Sequence, residues 1–267
     1  MAIDPYEVYA LRYAHHERTA RDNFLFATDI HDGPQALEFY VWVIRGNGKT
    51  FLVDLGFEHA GAERRGRRII RLPSEALGML NIEPSSIEEV IVTHLHYDHA
   101  GDLTAFPNAK LYLQERELAF ATGKHMGITA VRMAFDVEYV CDFVRALYNE
   151  RIDFIDGSRE LAPGVSVHHI GGHTDGHQAV RVWTEAGWLV LASDAVHLYA
   201  NRDLANPFPI VHNVTDMVAG YARLDALASN RDLIIPGHDP LVLSRFPCPI
   251  KEFEGELVRL DQGPIKT

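Results

Sequence analysis

The apolar positions of this chain fall into short runs broken by glycine, proline and polar turns, and the runs alternate in character. Residues 37–44 (LEFYVWVI) and 50–54 (TFLVD) have the aromatic and β-branched make-up of strands. They are joined across Gly46-Asn47-Gly48, a hairpin with glycine available for positive φ. Asp54 followed by Gly56 ends the second strand in a tight turn. Residues 73–80 read as a helix with Pro73 or Ser74 at its start. Short apolar runs at 89–93, 109–113, 165–170, 188–192 and 233–235 predict further strands, and 216–228 predicts a helix. The first 36 residues are polar and irregular, with a turn-like His31-Asp32-Gly33-Pro34. Residues 115–151 are helix-compatible throughout and hold no cluster of ligand residues, so they read as an insertion (a lid or dimer element) or as helix covering the core. Strands in both halves with helices between them predict two packed sheets covered by helices, an α/β architecture.

Composition adjusts this picture only slightly. A chain of 267 residues can form one large α/β domain, and a single domain over residues 1–267 is expected, with an N-terminal segment 1–36 and the helical insertion at about 115–151. The 47% apolar and 23% charged content is ordinary for a globular protein. No apolar run approaches the ~20 residues needed to span a bilayer, so no membrane association is expected. Met1 to Glu7 lacks the basic start and apolar core of a signal peptide. Cys141 and Cys248 make no disulfide framework or CxxC pair, and a cytoplasmic location follows as the expectation. The formal net charge of −12 gives no broad attraction for a polyphosphate backbone. A small-molecule substrate is expected, and nucleic acid is not. The run Arg64-Arg65-Gly66-Arg67-Arg68 is the local exception, read as a solvated loop or a subunit contact of a homodimer.

The chemistry concentrates in Thr93-His94-Leu95-His96-Tyr97-Asp98-His99-Ala100-Gly101. His94, His96, Asp98 and His99 are four metal-binding side chains within six positions. They follow the apolar run 89–93, where a buried strand ends. Extended backbone sends residues i and i+2 to the same side, which aims His94 and His96 at one point. A turn into helix near Asp98 lets the next two side chains approach from another direction. A mononuclear open site needs about three protein ligands. Four in one motif, with more histidine and aspartate downstream, suggest two metals.

Three later strand ends add to the pattern: Gly171-Gly172-His173-Thr174-Asp175-Gly176-His177, Ala192-Ser193-Asp194-Ala195 and Ile235-Pro236-Gly237-His238-Asp239. The glycines around His173 are expected to let the backbone come close to a bound ion. With Asp54-Leu55-Gly56 and the His94–His99 motif, the chain resembles the metallo-β-lactamase superfamily from about Leu37 to His238. The resemblance implies an αββα sandwich of two mixed sheets covered by helices. It implies one metal on His94, His96 and His173, a second on Asp98, His99 and His238, and Asp194 bridging ions about 3.5–4 Å apart. Zinc is the first expectation, with manganese, iron and cobalt also suited to the donor set.

Within the superfamily the chain is most similar to quorum-quenching N-acyl homoserine lactonases and related small-lactone hydrolases. The zinc β-lactamases commonly carry a cysteine near the place of Asp194 and do not use the Asp-His pair in this way. The resemblance implies lactone opening by a metal-bound hydroxide, formed because coordination lowers the pKa of water from 15.7 to about 7 in the best-studied zinc case. Asp98 would orient this nucleophile and hand a proton to the leaving alkoxide. Where those lactonases often place a tyrosine three residues after the bridging aspartate, this chain has His197, with Tyr199 two further on. His197 could take over the hydrogen bond to the oxyanion, or be purely structural. His177 is read as orienting a ligand rather than binding metal. The alternatives are a thioesterase of glyoxalase II type, a cyclic amide or imide hydrolase, and a mononuclear iron oxygenase of the same superfamily.

Overall fold

The computed structural model describes residues 3–26 and 32–266. Of the expected turn at 31–34, His31 lies outside the described residues. In chain order the strands are β1 (Glu7–His16), β2 (Leu37–Gly46), β3 (Lys49–Val53), β4 (Arg68–Ile69), β5 (Glu89–Ile91), β6 (Lys110–Gln114) and β7 (Ile152–Ile155). They continue as β8 (Ser158–Ala162), β9 (Val165–His169), β10 (Gln178–Thr184), β11 (Gly187–Ser193), β12 (Ile234–Pro236) and β13 (Leu257–Arg259). One sheet has the order β13-β1-β2-β3-β5-β6-β7 with β4 paired to β1, and the other the order β12-β11-β10-β9-β8. The first is antiparallel from β13 to β3 and parallel from β3 to β7. The second is antiparallel except for β11 with β12. Both sheets are therefore mixed.

Strand β2 shows why the sheets stack. Tyr40, Trp42 and Ile44 pack against Val180, Val182 and Leu191 of the second sheet. The alternate residues Phe39, Val41 and Val43 pack against Leu77, Phe106 and Phe143 on the helical side. A strand covered on both faces reads as a continuous apolar run, as 37–44 does. The outer face of the second sheet is closed by Tyr221 and Leu224 of the helix Val214–Leu227 over Val190 and Ala192. The layers run helix, sheet, sheet, helix. Each fully buried valine, leucine or phenylalanine contributes roughly 1.5–3 kcal/mol to holding them together. The β2–β3 turn is the two-residue Asn47-Gly48, both at positive φ (50° and 72°), which matches the twist of a tight hairpin.

One expectation changes, and of the two readings of 115–151 the core-covering one holds. The N-terminal segment is not irregular: β1 lies between β13 and β2, its Glu7, Arg12, His15 and His16 masking an interior strand. Its Tyr9, Leu11 and Tyr13 join the helical-side core, while Val8 and Ala10 join the inter-sheet core. Residues 115–151 form the helices Glu115–Ala121, Thr129–Arg132 and Val137–Tyr148. Leu118, Phe120, Tyr139, Phe143 and Ala146 bury against the first sheet, so this segment covers core. Asp136 starts its last helix by accepting from Glu138 N. Among the described residues no helix is long and apolar enough to cross a membrane.

Parallel pairing places the C-terminal ends of β3 and β5, and of β11 and β12, on common edges. Asp54, His94, Asp194 and His238 all follow these strands. His173 follows β9. The turns after strand ends are where sheets of this kind build sites.

Candidate metal centre

Residues 94–96 leave β5 as extended backbone, and Asp98 and His99 come from the short helix Tyr97–Ala100. One group of donors is His94, His96, His173 and Asp194, with ligand atoms all within 4.8 Å of one another. Asp98, His99 and His238 form a second such group, and Asp194, His197 and His238 a third. Asp194 faces both ways. Its Oδ2 lies 3.2 Å from His173 Nε2 and 3.8 Å from His94 Nε2, while Oδ1 lies 3.2 Å from His99 Nε2 and 3.0 Å from His238 Nε2. All seven residues expected from the sequence are 9% exposed or less. Polar groups buried to that degree need a partner, and charged ones need a counter-charge.

Other residues decide which ring nitrogen each histidine presents. His99 Nδ1 donates to Asp54 Oδ2 at 2.7 Å, leaving Nε2 facing Asp194. His238 Nδ1 donates to the Glu38 carbonyl at 2.9 Å, again freeing Nε2. The Thr93 hydroxyl donates to Asp54 at 2.8 Å and lies 3.1 Å from His94 Nδ1, so it can accept that ring's N–H. The Nε2 atoms of His94 and His99 are buried with no protein hydrogen-bond partner. His96 Nδ1 and His173 Nε2 stand 2.8 Å apart. Inward-facing imidazole nitrogens, their outer nitrogens held by carboxylate, carbonyl or hydroxyl, are the arrangement metal-binding histidines adopt. Asp54 holds its place at φ 64°, a strained conformation for a non-glycine residue. It takes a second bond from Thr93 N at 2.7 Å.

The electrostatics ask for positive charge. Burial lowers His94 and His96 well below the ordinary imidazole range, with help from neighbouring histidines, which keeps both neutral with a lone pair to offer. Burial acts the same way on His99, but Asp194, Asp54 and Asp98 outweigh it and raise that ring well above its usual value. His238 follows the same direction because of Asp194. Burial works to raise the Asp194 carboxyl, yet the rings of His197, His238, His99 and His173 hold it well below the usual range. A site that draws protons onto histidines beside carboxylates draws divalent cations equally. The donor set fits two such ions.

Sequence reasoning missed Glu117. The segment 115–151 carries no ligand, but the buried Glu117 carboxylate accepts from Leu95 N at 2.8 Å, Thr174 Oγ1 at 2.6 Å and Gly176 N at 3.0 Å. It ties the His94–His96 strand end to the His173 loop. The glycines there serve that packing rather than an ion: a Cβ on Gly176 would sit 2.3 Å from Glu117 N, and one on Gly172 2.4 Å from Met217 N. His177 is fully buried beside His94, ring centroids 5.2 Å apart, but neither of its nitrogens bonds a ligand. Three rings are buttressed by phenylalanines: His96 on Phe135, His238 on Phe39, and His197 stacked on Phe208 at 3.9 Å and 5°.

The cluster floors a cavity of about 150 Å³, roughly five times the ~30 Å³ a water occupies in the liquid. Asp98, His173, Asp194, His197 and His238 line its depth, and His16, Arg18, Arg65 and Arg67 line its walls. A wider groove of about 760 Å³ along residues 121–140 adjoins it through Arg65 and Met133 but holds none of the seven donors. The chemistry belongs to the smaller space.

Packed sheets with a divided histidine–aspartate cluster at one edge define a class of site built for a dinuclear divalent metal centre. The chain matches the metallo-beta-lactamase superfamily over residues 40–238 and belongs to it. It is 28% identical over 222 residues to an N-acyl homoserine lactonase from a Bacillus species, covering 77% of this chain and 83% of that one. It is 31% identical over 191 residues to N-acyl homoserine lactonase AiiB of Agrobacterium fabrum, covering 68% and 66%. The fold also matches a solved N-acyl homoserine lactone hydrolase with N-hexanoyl-L-homoserine bound at its metal center, at TM-score 0.75 and 20% identity over 94% of this chain and 99% of that one.

Proposed function

We propose that this protein is a dinuclear metal-dependent hydrolase that opens a lactone or a similar small cyclic ester to the hydroxy acid, as the relatives named N-acyl homoserine lactonases do. The observation that carries the reading is Asp194, one buried carboxylate whose two oxygens face two separate sets of donors. In this reading His94, His96 and His173 hold one ion, Asp98, His99 and His238 the other, and Asp194 both. Zinc is the first choice for histidine and carboxylate donors, with manganese, iron and cobalt as alternatives. Bound divalent ions acidify water at neutral pH and polarise an ester carbonyl.

The chain's own residues do the rest. Asp98, whose oxygens lie 3.9 Å from His99 Nε2 and 3.8 Å from His238 Nε2, can accept the proton of the attacking water and return it to the ring oxygen as the ester bond breaks. Burial pushes His197 down to about 3, against the pull of Asp194, so the ring is neutral and presents Nε2 to the cluster at 3.0 Å from Asp194 Oδ2. From that wall a neutral N–H can serve the developing oxyanion. The small cavity suits a ring of a few atoms. Residues 1–267 act as one domain in this reading, with the helices of 115–151 as part of its cover. The test is a panel of lactones, linear esters and cyclic imides offered to zinc-loaded protein, with metal counted by elemental analysis. Two ions per chain and ring opening of lactones are expected. A single iron, or turnover of imides alone, would overturn it.

A further inference from the structure

In the basic run at 64–68, Arg64, Gly66 and Arg68 are exposed, but the half-buried Arg65 and Arg67 are not accounted for by the chemistry above. The helix His59–Arg65 ends at Gly66, and from there Arg65 and Arg67 both turn into the wall of the metal cavity. Arg65 lies over the Tyr97 ring at 4.0 Å and donates to the carbonyls of Met133 and Phe135 at 2.7 and 2.9 Å. Arg67 donates to the Tyr97 hydroxyl at 3.0 Å and to the Arg65 carbonyl at 2.6 Å. Arg18 lines the same cavity, its guanidinium 5.0 Å from the Phe208 ring on which His197 stacks. It donates to the Asp22 carbonyl, and its Nε is buried with no partner.

These contacts share one property: every acceptor is neutral. Among the described residues Arg18, Arg65 and Arg67 form no ion pair with a carboxylate, whereas Arg64 of the same run pairs with Asp136 at 2.7 Å. Hydrogen bonds to neutral acceptors hold the three side chains in place, with the Asp22 carboxylate near Arg18 but not bonded to it. Three guanidinium groups on the wall of a narrow cleft, without an ion pair among the described residues, are costly in self-repulsion. They are also conspicuous in a chain of net charge −12. The field is visible on His16, which lines the same wall. Burial, Arg67 and Arg18 together lower it to about 4.

We infer that the cavity selects lactones bearing an oxyanion substituent, a carboxylate or phosphate, held by Arg18, Arg65 and Arg67 while the ring ester lies on the donor cluster. The planar fork of arginine suits such groups, and a low-dielectric cleft strengthens the attraction. This rests on the lactone reading above and narrows its substrate class. Neutral acyl lactones would then be the poorer substrates.

The test compares N-succinyl homoserine lactone with its methyl ester, which differ by one charge. At low salt the wild-type enzyme should favour the free carboxylate by about tenfold in kcat/KM, and 0.5 M NaCl should shrink the preference several-fold. Arg18→Gln should lower the ratio, and Arg67→Lys should keep more of it than Arg67→Gln. Salt acts on the unmodified protein, so a misfolded variant cannot mask the result. Equal rates for the two, or a preference for the ester, overturn the inference while leaving lactone hydrolysis standing. A carboxylate that acts only as a product inhibitor through Arg18 also overturns it, since the arginines would then serve the product. If neither lactone is opened, the hydrolase reading fails. Calorimetry with the matching pair of lactams then decides the charge question: about tenfold tighter binding of the anionic lactam supports it, and equal binding refutes it.

Discussion

Glu117→Gln replaces the buried carboxylate that joins two ligand-bearing loops with an amide of the same shape. The carboxylate has three donors and no donor of its own: Leu95 N on Oε1, and Thr174 Oγ1 with Gly176 N on Oε2. Glutamine can point its oxygen at only one side. If the oxygen serves Thr174 and Gly176, the amide NH2 meets the Leu95 N–H, and a buried donor is left without an acceptor. That costs about 1–3 kcal/mol. Burial raises the Glu117 carboxyl despite the three donors, so part of the loss is offset by removing a desolvated charge. The expected net loss is about 1–2 kcal/mol of the 5–15 typical for a domain. The larger effect falls on the site, because Leu95 separates His94 from His96 and Thr174 follows His173. Substitutions that loosen ligand support typically lower metal affinity or activity 10–100-fold. Urea unfolding would read the first quantity, and competition with a calibrated chelator the second. A Glu117→Gln protein that unfolds early yet binds metal like the wild type would refute the positioning argument and leave Glu117 as packing alone.

Asp194→Ala should lose at least one of two bound ions and nearly all hydrolysis, because both donor sets share this carboxylate; full metal content by elemental analysis would contradict the assignment. Asp54→Asn should reduce metal affinity about 10–100-fold, since an amide has one oxygen and cannot accept from both Thr93 N and the His99 ring; chelator competition measures it. His197→Phe keeps the stack on Phe208 but removes the N–H, and kcat/KM should fall about tenfold to a hundredfold. An unchanged value takes His197 out of the chemistry. His16, lowered to about 4, binds fewer protons folded than unfolded. Stability should therefore fall as pH drops from about 6.5 towards 4. Proton titration by NMR should show the His16 pKa rising in Arg18→Gln, and no rise would mean that the arginine field does not reach it.

Much of the metal centre is legible in the chain because its information is local. His94 and His96 share a side through the two-residue period of extended backbone, and Asp98 and His99 follow within one turn. The strand ends at 171–173, 192–194 and 235–238 are marked by apolar runs that stop at glycine, histidine or aspartate. The same locality explains the failures. Strand β1 looks polar by itself and becomes interior only because β2 and β13 flank it. The 115–151 helices carry no ligand, so nothing in their own pattern reveals that Glu117 holds the ligand loops.

What the sequence determined by itself was the donor chemistry, the strands whose ends carry it, and the family to which both belong. Tertiary structure decided which nitrogen each histidine presents, through partners 45 and 200 residues apart such as Asp54 with His99 and Glu38 with His238. It also turned two arginines of a basic run that reads as surface, Arg65 and Arg67, into the wall of the cavity. Donor type is a property of a side chain, but tautomer, burial and local field arise from whatever the fold sets against it, and that depends on contacts no local pattern encodes.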